Sequence, residues 1–110
     1  METAEAQLAH LTTIMAQALV DHPDDVAVTY VAGARHVVIE IRIHSDDVGK
    51  VIGAGGAHAS AMRTLLFAAA GKLRRSVTLE IFDPEPDRRR VRRYPYARAD
   101  AYERTLARRR

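Results

Sequence analysis

The sequence has 110 residues, a formal net charge of +3 and no cysteine. This length accommodates one domain with a single modest core, and a hydrophobic content of 47% excludes wholesale disorder. A chain without cysteine has neither a disulfide framework nor thiolate metal sites, which is typical of proteins in a reducing cytoplasm.

A helix is predicted near the start of the chain, over about residues 3–20. Its apolar residues recur at the spacing of one helical face; they are Leu8, Leu11, Met15 and Leu19. The segment has neither a basic leader nor an unbroken apolar run, so we expect neither a signal peptide nor a membrane span. The sequence therefore predicts a soluble cytoplasmic protein.

A β-hairpin is predicted after a polar loop that contains Pro23. Its alternating apolar residues are Val26, Val28 and Tyr30 before the turn, and Val37, Ile39, Ile41 and Ile43 after it. Gly33 lies between the two runs and is expected to form the tight turn, because glycine accepts a positive φ without strain.

Two helices separated by three glycines are predicted next. The first is short, about residues 46–52, with Ser45 or Asp46 as its cap. The second covers about residues 57–70. Adjacent residues on a helix point in different directions, so Asp46 and Asp47 are interpreted as cap and dipole partners of the first helix, not as a catalytic pair.

The last predicted element is a strand in which Val77, Leu79 and Ile81 alternate with polar residues and Phe82. The element order is then α-β-β-α-α-β. Helices and strands each have one apolar face, which predicts an α+β fold whose three-stranded sheet carries the helices on one face. This domain is expected to occupy residues 1–82.

An arginine-rich tail, disordered or partly helical, is expected over residues 83–110. It begins with "DPEPD", whose prolines end any regular element. Residues 1–82 hold 7 Lys/Arg and 9 Asp/Glu, whereas residues 83–110 hold 10 Arg and 5 Asp/Glu. This asymmetry favours a polyanionic partner, and a solvated, solubilising tail is the alternative.

The glycines in "VIGAGGAHA" bring a bare backbone turn to the surface directly before a helix. The first amides of a helix have no partner within it and carry the positive end of its dipole, so such a turn binds anions, usually phosphates. It is not a Walker A loop, which needs Gly-Lys-Ser/Thr. It is not a dinucleotide fingerprint either, because His58 stands at the third glycine and a helix precedes the loop. A simple helix–helix turn is the alternative.

The stretch "VIGAGG" with its flanks resembles the V-I-G-x-x-G signature of KH domains, which clamp about four backbone nucleotides at this loop. The longer run "DDVGKVIGAGGAHASAMRTLLFAAAGK" is similar to the bacterial KhpA family of single-domain RNA-binding proteins, and the element order fits a type II KH fold. The resemblance covers about residues 8–82 and excludes the tail. It implies binding of single-stranded RNA by an RNA chaperone or post-transcriptional regulator. It also implies homodimers, or heterodimers with a KhpB/Jag-type protein.

The resemblance implies an RNA groove between the glycine loop and the sheet. Ile52 would line its floor, and Lys50, His58 and Arg63 would lie nearby. The loop itself consists of Gly53, Ala54, Gly55 and Gly56, and the basic residues that would border the groove are Lys72, Arg74 and Arg75.

The sequence departs from the family pattern inside this loop. Members usually carry Lys or Arg in the loop and just after it, where this chain has Ala54, Gly55 and Ala57. The neutral loop favours a second hypothesis, a KH-fold protein-interaction module with weak RNA affinity. The basic residues after the second helix and the tail favour RNA binding.

No catalytic residue, metal, cofactor or small-molecule substrate is expected. The five histidines include no i, i+4 pair, and without cysteine a zinc site is disfavoured. No serine or threonine has a base beside it in the sequence. The sequence therefore does not predict an enzyme.

Overall fold

The computed structural model describes residues 2–84, so the predicted tail lies outside the described residues except for its first two. The helices and strands are α1 (Ala4–Leu19), β1 (Ala27–Ala32), β2 (His36–Arg42), α2 (Val48–Ile52), α3 (Ala57–Lys72) and β3 (Ser76–Phe82). Short 3₁₀ turns precede β1, α2 and α3, at Pro23–Asp25, Ser45–Asp47 and Ala54–Gly56. The predicted element order is confirmed, and α3 extends two residues beyond its predicted end.

The three strands form one mixed sheet in the order β1-β2-β3. β1 pairs with β2 antiparallel through the hairpin, and β2 pairs with β3 parallel, which requires the crossover supplied by α2 and α3. At the centre of the sheet, Ile39 lies opposite Tyr30 on β1 and Leu79 on β3. β1 and β3 are the sheet edges.

The core lies between one face of the sheet and the helices. Val37, Ile39 and Ile41 alternate along β2 and are fully buried on that face. The helices cover them with Leu8, Ala16, Val48, Val51, Met62 and Leu66. Burying one large aliphatic side chain stabilises the fold by about 1.5–3 kcal/mol, so the alternation determines which face the helices cover. The predicted α+β arrangement is confirmed.

The helix starts agree only in part with prediction. The Thr3 hydroxyl accepts a hydrogen bond from the Ala6 amide at 3.1 Å and caps α1. Before α2, the cap is neither Ser45 nor Asp46, because the chain first makes a 3₁₀ turn and Nδ1 of His44 accepts from the Asp46 amide at 3.0 Å. No helix within residues 2–84 is long and apolar enough to cross a membrane.

The hairpin turn lies where it was predicted, but not for the predicted reason. Its closing hydrogen bond runs from the Gly33 amide to the His36 carbonyl at 2.8 Å. In the described part of the chain, positive φ occurs at Gly53, Gly55, Gly56 and Arg74. Gly33 therefore makes the turn without using a left-handed conformation.

Candidate nucleic-acid interface

The three glycines between α2 and α3 adopt conformations that other residues avoid. Gly53, with φ 80° and ψ 163°, lies in a region that is essentially reserved for glycine. Gly55 (φ 61°, ψ 15°) and Gly56 (φ 81°, ψ 16°) are left-handed. The helix breaks and restarts here because these three conformations turn the chain from α2 into α3.

The loop presents its backbone to solvent. Ala54 and Gly55 are exposed, whereas Ile52 and Gly56 are buried beneath them. A Cβ added at Gly55 would meet nothing within 4 Å, so a ligand can approach the main chain there. The 16-residue helix α3 begins directly afterwards, with the positive end of its dipole at the loop, where the Gly56 and Ala57 amides already donate to the carbonyls of Gly53 and Ala54. The arrangement can bind a phosphate through backbone groups.

The exposed side chain of His58 links the start of α3 to α2 across the glycine loop. Its Nδ1 lies 2.6 Å from the Lys50 carbonyl, which can only accept, so Nδ1 donates to it. A Cβ at Gly53 would lie 2.6 Å from Cγ and 2.8 Å from the amide nitrogen of His58. The close packing of His58 gives Gly53 a second reason to be glycine.

Lys50 is exposed beside the loop, but two carboxylates engage it. Its Nζ lies 2.8 Å from Asp21 Oδ2 and 3.3 Å from Asp47 Oδ1. The hydrogen bonds to Asp21 and then to Asp47 raise the pKa of Lys50. Because its positive charge is largely offset by these acidic groups, Lys50 adds little attraction for a phosphate at the loop.

Asp47 is fully buried, which the sequence did not predict. It accepts the backbone amides of Asp21 and His22 at 3.2 and 3.0 Å, and Nδ1 of His22 at 2.9 Å. Burial alone would raise the pKa of Asp47, but these donors and Lys50 hold that pKa well below its usual range. Asp47 was interpreted as a cap and dipole partner of α2. It lies at the N-terminal cap position of that helix but makes no side-chain capping bond there, because the loop after α1 folds over it and supplies the donors.

His22 also stacks on His44, with ring centroids 4.0 Å apart and planes 13° from parallel. Ligand atoms of His22, His44 and Asp46 lie within 4.8 Å of one another. An ion between stacked rings would lie outside both ring planes, where the nitrogen lone pairs do not point. In addition, Nδ1 of His44 already accepts from the Asp46 amide. The geometry therefore indicates that His22, His44 and Asp46 form a structural cluster, which stabilises the segment that precedes α2.

Arg63 lies on α3 between the helix and the sheet edge. It is half-buried, and its guanidinium donates to the Leu79 carbonyl on β3 at 3.1 Å. This contact ties α3 to the edge strand. Its positive charge is therefore directed at β3 and not at the exposed tip of the loop.

The predicted basic residues lie at the other end of α3 from the glycines. A 16-residue helix is about 24 Å long, so the structure does not bring Lys72, Arg74 and Arg75 next to the loop. Arg75 donates to Glu5 Oε1 at 3.2 Å and to the carbonyls of Leu73 and Arg74. Hydrogen bonds from its own backbone amide and from Arg75 lower the pKa of Glu5. Arg75 thus has a structural role, whereas Lys72 and Arg74 are exposed.

The KH domain of KhpA and KhpB matches residues 10–81, which contain the glycine loop, β1, β2 and all of β3 except Phe82. Proteins named RNA-binding protein KhpA are similar to the chain. That of Halalkalibacterium halodurans is 49% identical over 69 residues, which is 63% of this chain and 91% of the relative. That of Caldanaerobacter subterraneus is 43% identical over 74 residues, 67% of this chain and 99% of the relative. That of Mycobacterium tuberculosis is 38% identical over 71 residues, 64% of this chain and 85% of the relative. No solved structure is significantly similar to the chain.

Proposed function

The chain belongs to the KhpA/KhpB KH-domain family, and we propose that it binds single-stranded RNA at residues 53–56 without catalysing a reaction. The observation that carries this proposal is the loop itself: three glycines with positive φ expose the backbone at the start of α3. The relatives' name, RNA-binding protein KhpA, supports the choice of RNA as the polyanion.

Backbone groups would make the main contacts with RNA. Ala54 carries only a methyl group and Gly55 carries no side chain, so a phosphodiester can reach the amides at the start of α3. A KH loop clamps about four nucleotides through their backbone in this way, and their bases then lie in the adjoining groove. In this chain the groove would be the cleft between α3 and β3, with Ile52 at its floor and Arg63 along it.

Charge at the loop contributes little to this binding. Lys50 is paired with Asp21 and Asp47, and His58 is anchored to a carbonyl. The Coulomb attraction for RNA would therefore come from more distant cations, which are the exposed Lys72 and Arg74 and the ten arginines of residues 83–110. The proposed setting is the cytoplasm, and the proposed role is that of an RNA chaperone or post-transcriptional regulator.

A protein-interaction module is the second candidate, and exposed apolar groups on the sheet favour it. Val31 on the edge strand β1 is 74% exposed, and Phe82 on the edge strand β3 is 41% exposed. Both face away from the helices. Edge strands with apolar side chains are prone to pair with another chain. The proposed partners are a second copy or a KhpB/Jag-type protein, and RNA could still bind at the loop.

The double substitution Ala54→Asp with Gly55→Asp tests RNA binding at the loop. It places two negative charges where a phosphodiester would lie. Repulsion between charges about 4 Å apart is about 1 kcal/mol per pair in water and about 4 kcal/mol at an effective dielectric of 20. RNA affinity should therefore fall at least about tenfold. Aspartate tolerates a left-handed φ better than most residues, so the domain should still fold.

The matched control places the same two charges on exposed helix positions, as Gln17→Asp with Ala68→Asp. RNA affinity, self-association and melting temperature are measured on both double variants and on the natural chain. A folded loop variant that binds RNA as tightly as the control would show that the glycines form only a helix–helix turn. Loss of RNA binding with unchanged self-association would support both candidate functions.

A further inference from the structure

A second basic site lies at the opposite end of the domain from the glycine loop. An open pocket of about 480 Å³ lies between the β1–β2 turn and the loop that joins α3 to β3. It is lined by Ala34, Arg35, His36, Arg74 and Ser76. The two sides are fixed to each other by the Ser76 amide, which donates to the Arg35 carbonyl at 2.8 Å.

Arg74 occupies a position where glycine would be expected. The amides of Arg74 and Arg75 donate to the carbonyls of Gly71 and Ala70, which is the hydrogen-bond pattern of a Schellman helix end. The residue at this point is left-handed and is usually glycine, yet here it is Arg74 with φ 58°. It is also the one non-glycine residue with positive φ in the described part of the chain. Backbone strain of this kind persists where the surrounding structure holds it, and it clusters at functional sites.

The two arginines of the pocket differ from the other arginine nearby. Arg75 pairs with Glu5 and donates to the carbonyls at the end of α3, so it satisfies the negative end of that helix. Within residues 2–84, neither Arg35 nor Arg74 has an acidic partner, and both are exposed. Two arginines without a carboxylate partner among residues 2–84 therefore line one pocket.

His36 is hydrogen-bonded to the hydroxyl of Ser76, and both residues line the same pocket. Its Nδ1 lies 2.6 Å from Ser76 Oγ and its Nε2 lies 3.0 Å from Thr78 Oγ1. If the Thr78 hydroxyl donates to Nε2, then Nδ1–H donates to Ser76 Oγ, and the Ser76 hydrogen can donate to a ligand. Within the described residues, Ser76 Oγ donates a weak hydrogen bond to the Arg35 carbonyl, with 3.4 Å between the two oxygens, which a ligand phosphate could replace.

We propose that Arg35, Arg74 and Ser76 form a second phosphate-binding site, separate from the glycine loop. Two guanidinium groups and an oriented hydroxyl are the donors that suit a phosphate. The phosphate would be either a terminal monoester or a phosphodiester further along an RNA strand held at the loop. The second source rests on the proposed RNA binding, whereas the first does not.

NMR amide signals distinguish the two sites, with Gly55 and Gly56 reporting on the loop, and Arg74 and Ser76 on the pocket. The probes are RNA of about four nucleotides, with and without a 5′-phosphate, and unphosphorylated RNA of about three times that length. Pocket signals that shift only with the phosphorylated short RNA identify a monoester. Pocket signals that shift with the long unphosphorylated RNA identify a phosphodiester. If the loop signals shift with no RNA, the proposed function is contradicted. The comparison of the short RNA with and without a 5′-phosphate then decides whether the pocket binds phosphate.

Arg35→Gln and Arg74→Gly test the pocket directly, and Arg42→Gln, on the open face of the sheet, is the control. Arg74→Gly should keep or raise the melting temperature, because glycine relieves the positive φ. One of the probes will shift the pocket signals. The two pocket substitutions combined in one variant should lower the affinity for that probe about fivefold at low salt. The proposal is overturned if no probe shifts the pocket signals. It is also overturned if the control weakens binding as much as the pocket variants do.

Discussion

Nδ1 of His22 lies 2.9 Å from Oδ2 of Asp47, a residue 25 positions later in the chain whose carboxylate is fully buried. The same carboxylate accepts two backbone amides from the loop after α1 and lies 3.3 Å from Lys50 Nζ. One side chain thus connects the end of α1 to the start of α2. Because α2 leads directly into the glycine loop, this contact helps to fix the loop relative to the core.

Asp47→Ala should be strongly destabilising, because it leaves two partly buried amides and the His22 ring without their acceptor. Asp47→Asn keeps an acceptor oxygen but removes the charge, so its melting temperature should lie between those of Asp47→Ala and the natural chain. Asp46→Ala is the matched control, since Asp46 is exposed. Equal melting temperatures for the two alanine variants would contradict a structural role for Asp47.

The stability of the domain should depend on pH through this pair. The hydrogen bond to Asp47 raises the pKa of His22. The contribution of His22 to the free energy of unfolding is therefore complete below about pH 6.5, and it is lost as the pH rises through the pKa of His22 in the folded state. The pKa of Asp47 is lowered. The contribution of Asp47 to the free energy of unfolding is therefore present above about pH 4, and it is lost as the pH falls through the pKa of Asp47 in the folded state. Stability from this pair should therefore be greatest between about pH 4 and 6.5.

Urea unfolding of the natural chain and of His22→Gln across this range provides the measurement. The variant should lack the part of the decline above about pH 6.5 that comes from His22 and keep the decline on the acid side. Parallel profiles for the two proteins above that pH would show that His22 does not contribute.

The sheet and the glycine loop were predictable because their signals are local. Alternating Val37, Ile39 and Ile41 determine the buried face of β2, and three glycines within four residues rule out a continuous helix. In the loop, φ is positive at all three, as a bare-backbone turn requires.

The partners of the polar residues were not predictable in the same way. Asp46 and Asp47 are adjacent and chemically alike, and only the fold of the loop after α1 determines that Asp47 is buried and Asp46 exposed. Likewise, Arg74 and Arg75 are neighbours, but Glu5 on α1 engages Arg75 alone. Contacts between residues far apart in the chain decide these roles, and no spacing in the sequence encodes them.

Gly53 and Gly55 should respond differently to alanine. Gly55→Ala should cost about 1–2 kcal/mol, the penalty of a left-handed residue in open space. Gly53→Ala should cost about 3 kcal/mol or more, because its Cβ would also collide with His58. Gly49→Ala, on α2 with nothing within 4 Å, is the control and should be neutral or stabilising. Equal unfolding midpoints in urea for Gly53→Ala and Gly55→Ala would show that His58 does not constrain the loop.

Ala54→Lys should strengthen RNA binding by supplying the charge that the loop lacks. Ala54 is exposed, so the change should leave folding intact. One added phosphate contact should raise affinity about fivefold at low salt and steepen the dependence of log K on log salt by about 0.7. Ala68→Lys adds the same charge on an exposed position of α3 and is the control. An equal gain from both variants would point to a general charge effect and not to a phosphate at the loop.

The direction of β3 bears on what residues 88–110 could reach. Arg63 lies six residues into α3, about 9 Å from its start, and contacts Leu79 on β3. β3 continues three residues beyond Leu79, about 10 Å, and returns toward the start of α3. Residues 83–110, which hold ten arginines, follow β3 directly in the sequence.

Deleting residues 88–110 should lower the salt slope of RNA binding by about 0.7 for each phosphate that the tail neutralises in the natural chain. A full-length variant with glutamine at every tail arginine should match the deletion, because it removes the same positive charges and keeps the length. The measurement is the RNA affinity of all three proteins over a series of salt concentrations. An unchanged slope in either variant would mean that the tail makes no phosphate contacts, and the domain itself would then supply all of the affinity.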